Sequence, residues 1–140
     1  VVTCVDEDGY PFGLTVNSFT SVSLDPPLLL VCIAKQARCA PPLAKAEHFG
    51  VNVLQTGQQP ASMRFSTADE DRFGATPWSF GETGSPLLME SLAVFECEKH
   101  ALYDGGDHHI LLGRVLRASF DPKMDPLLYF RGSYRRLHFD

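Results

Sequence analysis

The chain has 140 residues, 44% of them apolar, enough for one compact domain with a core of its own. Twelve Lys and Arg against seventeen Asp and Glu leave a formal charge of -5, which argues against a nucleic-acid partner. The longest apolar run, Leu28 to Ala34, falls far short of the roughly 20 residues a membrane span needs, so no membrane partner is expected.

The sequence opens on Val1, not Met, and an upstream segment is expected. Val1 to Val5 is apolar and β-branched, Asp8-Gly9 supplies turn chemistry, and Phe12 to Val16 resumes the run, which predicts a hairpin. Asn17 to Ser23 is rich in hydroxyl and amide side chains that bond to nearby backbone, which predicts a loop. Asp25-Pro26-Pro27 forces an extended turn, and the continuous apolar run Leu28 to Ile33 predicts a strand buried on both faces. Pro41 and Pro42 suit a first helical turn, Leu43, Ala46 and Phe49 give a helical stripe, and Gly50 supplies a stop. Val51 to Leu54 predicts the next strand and Pro60 to Phe65 a second helix, with Met63 read as packing. Ser66 to Ser85 is a long polar, glycine-rich passage holding Phe73, Trp78 and Phe80, of a length that points to a functional role. Leu87 to Met89, Ala93 to Glu98, Ile110 to Ala118 and Leu127 to Phe130 predict further strands. The second of these sets Val94, Glu96 and Glu98 against Phe95, Cys97 and Lys99. Six to eight short strands with two short helices imply a mainly β, antiparallel barrel and not a doubly wound sheet.

Cys4, Cys32, Cys39 and Cys97 show no regular spacing and no CxxC pair, so they read as reduced thiols of a cytoplasmic protein. There is no GxGxxG, no phosphate-binding GxxxxGK and no GxSxG elbow. His108 and His109, with His100 and Cys97 nearby, raise the question of a metal. Adjacent residues of a strand point to opposite faces, and no metal site is expected.

The most informative segment is Gly13 to Pro27, GLTVNSFTSVSLDPP, which strings hydroxyls, an amide and backbone into a strand end and loop. The pyrimidine edge of an isoalloxazine needs such a mixture of donors and acceptors. Donors beside it favour the anion of the reduced ring. Capping of local backbone groups is the plainer account of the same residues.

GLTVNSFTSVSLDPPLLLVC, FGVNVL, GDHHILLGRV and PLLYFRGSY occur in the order and approximate spacing of the short-chain flavin reductase family, which the chain resembles over nearly its whole length. The resemblance extends to the reductase components of two-component flavin-dependent monooxygenases. It implies an FMN-binding split β-barrel, a Greek-key antiparallel barrel with a few short helices, spanning residues 1 to 140. It also implies an NAD(P)H:flavin oxidoreductase using FMN, with FAD as the alternative, and NADH or NADPH as co-substrate. The implied partners are a second copy in a homodimer and a separate oxygenase component.

Position by position, the resemblance places Thr15, Val16, Asn17 and Ser18 along the flavin, with Ser21, Val22 and Ser23 continuing that wall. Cys32 and Ala34 follow on the next strand, and Lys35 and Arg38 are implied to neutralise a phosphate. Cys39 stands where the family offers a hydroxyl. His108 is the implied catalytic residue, beside nicotinamide and flavin, and Asp107 either fixes its tautomer or caps the turn. Tyr134 is implied to shelter a ring, and Arg72-Phe73 to fold over the flavin or a partner subunit. A flavin-binding module without turnover, or another split-barrel oxidase, is the alternative reading.

Overall fold

The computed structural model describes residues 1–68 and 71–140. Its strands in chain order are β1 (Val2–Val5), β2 (Pro11–Leu14), β3 (Phe19–Leu24), β4 (Pro27–Ala34), β5 (His48–Val53), β6 (Trp78–Phe80), β7 (Pro86–Leu88), β8 (Ala93–Gly105), β9 (His108–Phe120), β10 (Leu128–Phe130) and β11 (Ser133–Arg135). Two short helices, α1 (Ala40–Lys45) and α2 (Gln59–Arg64), complete the fold. Seven strands make one antiparallel sheet in the order β2-β1-β5-β8-β9-β4-β3, and β6-β7 and β10-β11 are separate hairpins. No helix among the described residues is long and apolar enough to cross a membrane.

The main core lies inside the curved sheet, where Val2, Cys4, Val31, Ile33, Phe49 and Leu111 are buried beneath α1. A second cluster joins Val1, Leu54, Phe65 and Leu88, and Phe73 and Trp78 pack on it edge to face. The predicted long passage therefore contributes to the core through its aromatics and forms β6; its positions 69 and 70 lie outside the described residues.

Several expectations change. Asn17 to Ser23 is not a loop throughout, because Phe19–Leu24 pairs with β4 as an edge strand with a bulge at Val22. The ladder with β4 outweighs the local bonding preferences of Thr and Ser. Helix α1 ends at Lys45, and Phe49 and Gly50 belong to β5. Phe49 sits opposite Cys97 in the core, while a Cβ on Gly50 would stand 2.6 Å from Thr3 Oγ1 and 3.1 Å from the Pro86 carbonyl, so this glycine allows close packing and does not stop a helix. The alternation expected along β8 breaks at a bulge between Glu96 and Cys97, which leaves both buried. The Glu96 carboxylate accepts from Thr83 N–H at 2.9 Å and Thr83 Oγ1 at 2.7 Å, satisfying its burial.

Strand β4 carries the correction with most consequence. Its odd positions Leu29, Val31 and Ile33 are buried, but Leu28, Leu30, Cys32 and Ala34 are only half-buried. One face therefore supplies core, and the other is open to an occupant.

Gly113 on β9 lies under Phe49, where an added Cβ would approach the ring to 2.4 Å and Cys97 Cβ to 3.0 Å. Gly113→Ala should destabilise the fold by about 1–3 kcal/mol through overpacking. Urea unfolding should show a lower midpoint with an unchanged slope.

Candidate active site

The open face of β4 is the floor of a cleft of about 870 Å³. Cys32 and Ala34 form this floor, and Leu14 to Phe19 form one wall. The β10–β11 hairpin, through Leu128, Tyr129, Gly132 and Tyr134, forms a second wall, with Ser62 and Met63 of α2 lining the cleft beside it. His108 completes the lining. The segment after Gly13 and the histidine of the GDH block, far apart in sequence, thus face one space.

The first wall is fastened from behind. The Gly13 carbonyl accepts from Arg72 Nη1 at 2.5 Å and from the Cys39 thiol at 3.3 Å. A Cβ on Gly13 would meet the Phe65 ring at 2.9 Å, so the strand can lie this close to α2's end only with glycine there. Thr15 N–H donates to the Phe65 carbonyl at 3.1 Å, and Thr15 Oγ1 to the Ser62 carbonyl at 2.7 Å. Ser62 Oγ in turn lies 2.8 Å from Tyr134 Oη, which joins the two walls across α2. Ser18 Oγ donates to the Cys32 carbonyl at 3.0 Å, fixing the wall to the floor. Asn17 alone of this polar strip is exposed, and its amide bonds to no other described residue.

The histidine is presented by a two-residue turn, Gly106-Asp107, between β8 and β9, with Gly106 at φ +80° as the first position of such a hairpin requires. Asp107 Oδ1 lies 2.7 Å from His108 Nδ1. The hydrogen bond from His108, and then its charge, hold the Asp107 carboxyl below the usual carboxylate range; an ionised carboxylate can only accept, so the contact is a hydrogen bond when Nδ1 carries the hydrogen. Nε2 is the ring nitrogen left for an occupant. Of the two roles expected of Asp107, its contact with Nδ1 suits the tautomer, while the turn's Gly106 N–H is accepted by the Asp104 carboxylate at 3.2 Å.

Of the predicted site residues, the fold gathers Thr15, Val16, Asn17, Ser18, Cys32, Ala34, His108 and Tyr134 around the cleft. Ser21, Val22 and Ser23 do not line it; they lie farther along β3, at its bulge. Lys35 is held at the β8–β9 turn in an ion pair with Asp104, and Arg38 Nη1 donates to the Ala68 carbonyl at 2.9 Å. Cys39 is buried at the start of α1, with its thiol raised chiefly by desolvation. Arg72-Phe73 packs behind the first wall and not over the cleft. Ser62 escaped the sequence reading; the PLLYFRGSY block reads as a strand and turn near the pocket with Tyr134 alone named for the site, and Leu128, Tyr129 and Gly132 line the cleft with it, while Met63, read as packing, is 53% exposed at the rim. The turn read in that block is Arg131-Gly132, both at positive φ, and it closes a hairpin that brings Tyr129 and Tyr134 together. His108 and His109 point to opposite faces, and no group of three metal-ligating side chains occurs among the described residues.

An antiparallel sheet with this polar-and-aromatic cleft defines a split-barrel protein of the flavin reductase class. The chain matches the flavin reductase like domain family over residues 1–138, and it belongs to that family. It is 46% identical over 134 residues to the stachydrine N-demethylase reductase subunit Stc3 of Rhizobium meliloti (strain 1021), covering 96% of this chain and 58% of that protein. It is 43% identical over 136 residues to the FMN reductase (NADH) SmoA of Agrobacterium fabrum (strain C58 / ATCC 33970), covering 97% of this chain and 76% of that protein. Among solved structures, the Streptomyces globisporus C-1027 NADH:FAD oxidoreductase SgcE6, in complex with NAD and FAD fragments, superposes with a TM-score of 0.94 at 42% identity, covering 100% of this chain and 84% of that one.

The depressed Asp107 carboxyl sets a sign for pH. Because its folded value lies below the unfolded one, the Asp107–His108 contact contributes fully above the unfolded value, about 3.9. That contribution is lost as pH falls through the folded value. Carboxyl ¹³C spectra should therefore show Asp107 titrating below ordinary aspartates, and His108→Ala should return it to their range.

Proposed function

We propose that this chain is an NADH-dependent flavin reductase that converts oxidised FMN or FAD to the reduced form and releases it to a separate oxygenase component. The observation that carries this reading is the placement of Leu14 to Phe19 and His108 on one cleft whose volume suits a tricyclic ring. The names of the relatives, a reductase subunit, an NADH-using FMN reductase and an NADH:FAD oxidoreductase, support it. In the reaction, hydride passes from nicotinamide C4 to flavin N5, which needs the rings stacked at about 3–3.5 Å and no side-chain acid.

The residues of this chain then act by holding and orienting. Backbone groups of Thr15 to Ser18 and the free amide of Asn17 supply the mixed donors and acceptors for the pyrimidine edge. The Tyr134 ring, its hydroxyl already engaged by Ser62, offers an apolar flank. His108, with Nδ1 on Asp107, turns Nε2 toward the nicotinamide end. Tyr103, Leu116 and Phe120 on β8 and β9 and Val22 and Leu24 on edge strand β3 are exposed apolar groups suited to a second copy of the chain, and we place the protein in the cytosol as a homodimer.

NADH consumption followed in the nicotinamide absorbance band should depend on added flavin. Bound yellow flavin without NADH oxidation would overturn the enzymatic reading. His108→Ala should lower kcat/KM for NADH roughly ten- to hundredfold, the loss of one or two positioned hydrogen bonds, with flavin affinity near that of the parent. Asn17→Ala should do the opposite, weakening flavin by about fivefold and sparing NADH.

A further inference from the structure

The end of β4 and the turn that carries His108 are fastened to each other at two points through a single residue. Lys35 N–H donates to the Asp107 carbonyl at 2.9 Å, extending the β4–β9 ladder one step past Ala34, which pairs with His108. The Lys35 ammonium meets the Asp104 carboxylate, whose same oxygen accepts Gly106 N–H. The side chain thus reaches over the Gly106-Asp107 turn and grips its far strand, while the main chain grips the near one.

We propose that Lys35 is a positioning residue for His108: it clamps the turn against β4 so that Asp107 keeps its carboxylate on Nδ1 and Nε2 faces the cleft, and it is not a ligand of the flavin phosphate. This inference rests on the reading of the cleft as the site of hydride transfer. Three observations support it. Lys35 does not line the cleft, whereas its backbone neighbour Ala34 and the clamped His108 do. The ammonium already has an anion built beside it, and the Asp104 carboxylate would repel an incoming phosphate. The His108–Asp107 contact is itself exposed, with 94% of the Asp107 side chain open to solvent, and such a pair needs external restraint to hold one geometry.

The test uses the full chain carrying Lys35→Met, Lys35→Arg, Asp104→Asn, or Lys35→Met with Asp104→Asn. All lie on the surface and leave the core intact. In ligand-free protein, imidazole ¹⁵N spectra of His108 should show the Nδ1–H tautomer in the parent. Lys35→Met and Asp104→Asn should each give a mixture of tautomers. In turnover, each single variant should raise KM for NADH by about three- to fivefold, the scale of one exposed charge pair, and the double variant by no more than either alone. Lys35→Arg should restore both readouts, and the ratio of KM for FMN to KM for riboflavin should stay that of the parent.

Two results would overturn the proposal. One is an unchanged tautomer in both single variants. The other is a KM for FMN raised about tenfold by Lys35→Met, with riboflavin and Asp104→Asn unaffected, the mark of a charge-assisted phosphate contact. Should the parent oxidise no NADH with any flavin, the functional reading fails, and the ring spectra still decide whether Lys35 positions His108.

Discussion

The antiparallel register between β4 and β9 is the constraint on which the site depends. It pairs Cys32 with Ile110 and Ala34 with His108, and so sets the floor of the cleft and the histidine side by side. Side chains alternate along a strand, so a slip of one residue would bury Cys32 and Ala34 and turn Val31 and Ile33 outward. The buried row Leu29, Val31 and Ile33, together with Leu111 on β9, makes that slip costly. Core packing, with no direct role in chemistry, thereby fixes which face of β4 is left for a ligand.

From that floor the walls are built by hydrogen bonds that consume most of the polar groups nearby. Thr15 is spent on Ser62 and Ser18 on Cys32, and Ser62 is shared with Tyr134. A hydroxyl held in this way keeps its backbone neighbours in place more than it recognises a ligand itself. Asn17, the Tyr129 hydroxyl and the Nε2 of His108 are among the lining groups that bond to no other described residue. The chemistry proposed for the cleft asks for no more, since hydride transfer depends on alignment and local polarity and not on a proton donor in line.

Much of this was legible in the sequence. Alternation, turn residues and helix-start prolines located most strands and both helices, and the motif order identified the flavin reductase resemblance later borne out by the family match. The gathering of Thr15 to Ser18 with His108 was also foreseen, because each block carries its own signal. Partition between the two faces of β4 was not, since an unbroken apolar run reads the same whether its second face meets protein or a ligand. The bulge at Val22 also left no local trace, and Ser21 to Ser23 around it do not line the cleft. Lys35 shows the same limit for charge: its composition suits a phosphate, and only the hairpin folding back to present Asp104 gives it another partner.

Cys39 shows how a departure from a motif can be absorbed by the scaffold. Where the resemblance implies a hydroxyl, the thiol points inward to the Gly13 carbonyl, with Arg72 Nη1 3.9 Å from its sulfur. Sulfur is a weak donor that tolerates desolvation, so it can occupy this buried junction at less cost than an unpaired hydroxyl. Gly13 is the point from which the first wall extends, and Cys39 and Arg72 both hold its carbonyl. The position where the resemblance implies a hydroxyl therefore braces the first wall of the cleft. Lys35 likewise meets an internal carboxylate, so two positions that the resemblance assigns to a flavin serve the scaffold in this structure, as the proposed release of the product would favour.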